Sequence, residues 1–248
     1  MRIRIKIQKF TYLLSLKKIG WLSFQRSFVA LILASFLLVI ISCTHDADQY
    51  RIHGIDVSHY QKIIDWETVA KQEKVHFAFI KATESVDYQD SIFKKNWKEA
   101  KQAGLIRGAY HFFRPTVSVE WQIKNFTEQV QLEKGDLPPV LDIEDFGHVT
   151  MPVLIERVRI WLLFIEAHYK VRPIIYASLN VYQRSLQGAF PDYPVWIARY
   201  NRRHPPLNTD WLFWQYSDQT TINGIVGKVD KNVFVGSLSE LKALCLDN

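Results

Sequence analysis

Apolar residues along this chain gather into short runs, several of which end in polar or charged residues. Eight such runs follow residue 51: "HGIDVS" (53–58), "HFAFIKAT" (76–83), "IRGAYHF" (106–112), "PPVLDIE" (138–144), "RPIIYAS" (172–178), "VWIARY" (195–200), "LFWQYS" (212–217) and "KVDKNVF" (228–234). Each has strand length, and near-continuous apolar strands indicate a sheet covered on both faces, as in parallel α/β folds. Helix-period segments lie between the early strands. Asp65 can cap "WETVAKQ", with Glu67 in the first turn. "SIFKKNWKEAKQAG" follows Asp90, sets Phe93, Trp97 and Ala100 on one face and stops at Gly104. "VEWQIKNFTEQVQLEKG" runs to Gly135, and residues 152–169 open with Pro152 in the first turn.

The late connections differ. "NRRHPPLNTD" and "DQTTINGIVG" join the last three strands. Neither has room or composition for a covering helix, since a crossover with its helix needs about 10–12 residues or more. The pattern predicts an α/β fold: a modified TIM-type barrel of eight strands with a truncated helical ring, (β/α)5(β)3. Residues 52–248 suffice for such a shortened barrel, where a full one takes about 250 residues.

Charge redraws the N-terminus. The formal net charge is +6, but Arg2, Arg4, Lys6, Lys9, Lys17, Lys18 and Arg26 lie within residues 1–42, which hold no acid. Removing those seven leaves −1 for residues 43–248. The basicity belongs to a leader, so it gives no case for nucleic-acid binding by the folded part. Residues 27–42, "SFVALILASFLLVIIS", are uncharged and follow the basic stretch, the pattern of an export signal. "IISC" resembles a bacterial lipobox, which would make Cys43 the lipid-bearing first residue of the mature chain. An uncleaved anchor over 1–42 is the alternative, and either reading tethers an exported domain to a membrane through a polar tether, 43–51. Cys43 and Cys245 are the two cysteines. Lipidation of Cys43 leaves Cys245 unpaired; the competing reading bridges them. No CxxC or Cys/His cluster calls for zinc, and His59, His76, His111 and His148 lack ligand spacing. No cofactor is expected, and the chain is expected to act as a monomer.

The candidate chemistry sits where strands end. Asp56, Lys81, Asp142, Glu144 and Asp230 fall on or at the ends of predicted strands, and a β/α barrel carries its site at the C-terminal strand ends. Residues two apart on a strand share a face, about 6.6 Å apart along it. Asp142 and Glu144 therefore project together, and Asp145 projects away. Two carboxylates in a desolvated site repel, so one pKa is expected to rise while the other stays low. A proton donor beside an anion suits glycosidic bond cleavage through a cation-like transition state. Tyr110, Phe112, Tyr176, Trp196, Tyr200 and Trp214 lie on the same strands, where rings can stack on sugars or simply fill the core.

Taken in order, "GIDVSHYQ", "FAFIKATE", "AGLIRGAYHFF", "PVLDIE", "PIIYAS", "VWIARY", "WQYS" and "GIVGKVDKNVF" resemble the glycoside hydrolase family 25 lysozymes, the Chalaropsis-type muramidases. The resemblance covers about residues 52–236. It implies cleavage of the β-1,4 bond between N-acetylmuramic acid and N-acetylglucosamine in peptidoglycan. It also implies Glu144 as general acid and Asp142 as the assisting carboxylate, with Asp56 and Asp230 at the remaining acidic positions. Lys81, Tyr110, Tyr176 and Gln215 match groove-lining positions. Where the family often reads "TEG", this chain has Ser85, which predicts a different loop shape after the second strand. Two other readings are a non-catalytic glycan-binding barrel and a hydrolase of another N-acetylated glycan such as chitin. The carboxylate spacing leaves a retaining, inverting or substrate-assisted course open.

Overall fold

The computed structural model describes residues 46–72, 74–200 and 203–247. The export segment and Cys43 lie outside the described residues. Among the described residues, no helix is long and apolar enough to cross a membrane.

In chain order the strands are β1 (Ile52–Val57), β2 (Val75–Glu84), β3 (Tyr88–Gln89), β4 (Ile106–Phe112), β5 (Val140–Asp142), β6 (Ile174–Ser178), β7 (Val195–Ala198), β8 (Trp211–Thr220) and β9 (Val229–Phe234). The sheet order is β1-β9-β8-β7-β6-β5-β4-β2-β3, and a parallel β1–β2 pairing closes the ring. Eight strands thus form the barrel, as the apolar runs predict. The two-residue β3 is an unforeseen addition, a hairpin partner for the end of β2. Neighbours are parallel from β1 through β2 and β4 to β8, whereas β9 runs antiparallel to both β8 and β1.

The α-helices of six residues or more are α1 (Trp66–Gln72), α2 (Phe93–Gln102), α3 (Val119–Gln129), α4 (Met151–Tyr169) and α5 (Leu238–Ala243), and a short helical stretch, residues 179–186, follows β6. Asp65 caps α1, accepting from Thr68 N at 3.1 Å, and Phe93, Trp97 and Ala100 form the buried face of α2. α3 ends six residues short of the expected Gly135. Val130 adopts an extended conformation there and buries its side chain completely, so core packing overrides the continuing helical composition. α5 was not legible as an element; its Ser237 capping box starts it, and Leu241 joins the barrel interior. From residue 46 the expected tether is a 3-10 turn, Asp46–Gln49, packed on the barrel. Ala47 is buried, and the Tyr50 ring meets Trp211 edge-on at 5.7 Å.

Strand alternation sorts the residues into two cores. Ala78, Ile80, Leu141 and Ile197 face outward with the buried sides of α2, α3 and α4. Phe77, Phe79, Val140, Ile174, Trp196 and Phe213 fill the interior. Following the inward positions along a strand leads from apolar to polar: Phe77, Phe79, Lys81 on β2; Val140, Asp142 on β5; Phe213, Gln215 on β8. The barrel is therefore a packed hydrophobic plug with a polar layer at one mouth.

Candidate active site

That polar layer lines a cavity of about 200 Å³. Asp56, Lys81, Tyr110, Phe112, Asp142, Glu144, Tyr176, Trp196, Tyr200, Gln215 and Asp230 all border it, so of the acids, rings and groove residues proposed from the sequence the structure brings all but Trp214 to one place. Asp230 arrives by an unexpected route. Because β9 is antiparallel, the start of that strand, not its end, reaches the mouth, and Asp230 pairs in register with Asp56 on β1.

Asp56 is the best-supported acid. Its Oδ2 accepts from Gln215 Nε2 at 2.8 Å and from Asn232 Nδ2 at 2.7 Å. Both amides are held from behind. Tyr176 and Tyr200 hydroxyls donate to Gln215 Oε1 at 2.8 and 2.7 Å, and Trp196 Nε1 donates to Asn232 Oδ1 at 2.8 Å. An indole N–H can only donate, so it fixes the Asn232 oxygen toward Trp196 and the amide N–H toward Asp56. Asp230 hydrogen-bonds Asp56. Burial raises both pKa values. Asn232 and Gln215 stabilise the charge on Asp56, while burial and Asp56's charge push Asp230 up to about 9, so Asp230 keeps the proton.

Asp142 ends β5, is buried, and leaves Oδ1 without a hydrogen-bond partner. Burial first, then the charge of Glu144, holds its pKa well above the usual carboxylate range. Glu144 lies two residues beyond the strand, which is shorter than the sequence run indicated. As a residue it is exposed, yet its carboxyl sits far enough into the mouth that lost hydration raises its pKa, with Asp56's charge adding to the effect. Both members of the pair are thus raised, against the expectation that one stays low. Burial acts on each separately, and Lys81 only partly offsets it. Asp145 turns away as expected and accepts from Gly147 N at 2.9 Å in the rim loop.

Lys81 is buried and bonds Glu84 at 2.7 Å; Glu84 also accepts from Arg114 at 2.6 Å. Ser85 follows with φ 55, the left-handed region. That is a backbone conformation glycine favours, adopted here by a residue with a Cβ. Trp196 is 2% exposed and stacks on Phe79 at 4.4 Å, so it floors the cavity from the core. Trp214 faces the outer core and does not line the cavity. His111 is a core histidine between Thr83 and Gln122, its pKa lowered by burial to about 4. Sequence reasoning missed Asn232, Glu84 and the rim residues Ser58, Tyr60 and Gln61. Asn232 carried a usable signal, since it lies two positions from Asp230 on one strand and so shares its face.

Paired carboxyl groups over a barrel mouth, walled by aromatic rings, are the equipment of a glycoside hydrolase. The sequence profile described as "Glycosyl hydrolases family 25" matches residues 55–225, and the chain belongs to that family. It is a glycosidase. The matched stretch stops before β9, so Asp230 and Asn232 lie beyond it. The chain is 44% identical over 199 residues to the uncharacterized protein YegX of Escherichia coli (strain K12), covering 78% of this chain and 73% of that one. It is 37% identical over 214 residues to Lysozyme M1 of Streptomyces globisporus, covering 80% and 72%. Among solved structures, a family 25 glycosyl hydrolase from Bacillus anthracis superposes with a TM-score of 0.75 at 32% identity, over 82% of this chain and 97% of that one.

Proposed function

We infer that this glycosidase is a muramidase acting outside the cytoplasm on peptidoglycan, cleaving the β-1,4 bond between N-acetylmuramic acid and N-acetylglucosamine. Family membership and the likeness to Lysozyme M1 support the substrate class. The observation that carries the assignment of roles is the buried, unpaired Oδ1 of Asp142. A buried acceptor without a partner is costly unless a ligand supplies the donor. The amide N–H of a substrate N-acetyl group is such a donor. Accepting it favours the charged form of Asp142 and positions the acetyl oxygen to assist at the anomeric carbon.

Glu144, at the opening, has its pKa raised by burial and then by the charge of Asp56, the direction that suits the donor of a proton to the leaving oxygen. Asp56, charged and fixed by Asn232 and Gln215, faces the positive charge that develops on the sugar ring. Trp196 contributes by orienting Asn232 rather than by stacking on sugar. The Glu144→Gln variant is expected to melt as the wild type does and to release reducing sugar from purified peptidoglycan about 10²–10⁴-fold more slowly. Wild-type rates in that variant would refute the role of Glu144. Faster wild-type turnover of chitin than of peptidoglycan would refute the substrate.

A further inference from the structure

The cavity is smaller than the roughly 300–1,000 Å³ of typical ligand pockets. A polymer can insert little more than the reacting unit and must lay its neighbours on the rim. On that rim Tyr60 is 75% exposed and borders the cavity. Its ring stacks on His59, with centroids 4.2 Å apart and planes tilted by 34°. His59 is itself fixed. Its backbone N–H donates to Asp90 Oδ2 at 2.9 Å, and its Nδ1 lies 2.9 Å from the same oxygen and 3.1 Å from the Tyr88 hydroxyl. Asp90 is buried, so this anchor does not move with the surface.

The turn that carries Tyr60 is pinned as well. Ser58 and Gln61 form a capping box around residues His59–Gln61, and Gln61 Nε2 reaches across to Lys228 O at 3.0 Å. An exposed aromatic ring gains nothing for the fold from such rigid support. It does gain as a binding surface, because a ring held in place loses little conformational freedom when a ligand settles on it.

We propose that Tyr60, backed by His59, is a stacking platform for the apolar face of a sugar residue adjoining the one in the cavity. The ligand class is a β-linked N-acetylated glycan strand, so the proposal rests on the muramidase reading. Its test uses the full chain with purified insoluble peptidoglycan. Tyr60→Ala is expected to raise KM about three- to tenfold with kcat little changed, the size expected for one lost ring contact. Tyr60→Phe is expected to restore the wild-type KM, since the ring face and not the hydroxyl binds. A parallel arm places Tyr60→Ala in the Glu144→Gln background and measures retention on peptidoglycan, where the same loss is expected without turnover. Unchanged KM and retention in Tyr60→Ala would overturn the platform. So would failure of Tyr60→Phe to rescue. Inactivity of the wild type on peptidoglycan would overturn the muramidase reading alone, because the retention arm still reads the platform.

Discussion

Asp230 illustrates how much a single carboxyl group depends on its neighbours. Alone it is an acid near the start of a strand; burial and the charge of Asp56 push its pKa up to about 9. The folded pKa is raised above the ordinary value of 3.8, so the folded chain binds more protons than the unfolded chain between those limits. The stability this group contributes is fully present below about pH 4 and is lost as pH rises toward about 9. Asp230→Asn keeps a donor toward Asp56 without a titrating proton. Its melting temperature relative to wild type is expected to shift in the variant's favour as pH rises through that window. Parallel melts across the window check this, and a difference that stays constant with pH would exclude the raised Asp230 pKa. Asp230 and Asn232 were each readable as polar positions on one strand face. Their convergence on Asp56 was not, because that requires the β1–β9 pairing.

Elements place these groups, and two features at this scale departed from the sequence pattern. α3 stops at Gln129 because Val130 is drawn into the core in an extended conformation, a tertiary demand that local composition does not carry. The loop after β2 holds Ser85 in the left-handed region, where a glycine would be at ease. Its backbone bonds explain why: Ser85 N donates to Phe112 O at 3.2 Å, and Asn125 Nδ2 donates to Ser85 O at 3.2 Å. These contacts hold Ser85 at φ 55, where an L-residue loses about 1–2 kcal/mol relative to its preferred conformations. Ser85→Gly relieves that strain, partly offset by the greater freedom of glycine in the unfolded chain. A net gain of up to about 1 kcal/mol is expected in denaturant unfolding. A loss of stability would show that the serine side chain contributes more than the strain removes.

The whole molecule is a barrel whose interior is filled by rings. Phe77, Phe79 and Phe213 pack edge-to-face at 5.3–5.6 Å, and Trp196 stacks on Phe79. Rings of that size fit only where the wall opposite carries no side chain. A Cβ on Gly54 would lie 2.3 Å from the Phe77 ring, and one on Gly108 would lie 2.7 Å from Phe79. Phe77 is fully buried and has nowhere to retreat. Gly54→Ala is therefore expected to cost about 1–3 kcal/mol by overpacking, read from the urea midpoint. A neutral result would mean that the plug is loosely packed.

By itself, the sequence determined the eight strands of the barrel, the truncated ring of helices and the inventory of acids and rings. All three are written in local periodicity, in loop length and in the two-residue repeat that puts alternate side chains on one face. The tertiary structure alone decided that β9 runs backward to deliver Asp230 beside Asp56, that Asn232 and Gln215 meet on one carboxylate, and that Asp142 is left with an empty acceptor. Those outcomes depend on which strands become neighbours and on how much water the closed barrel excludes. Both follow from the packing of the whole chain and not from any stretch of it.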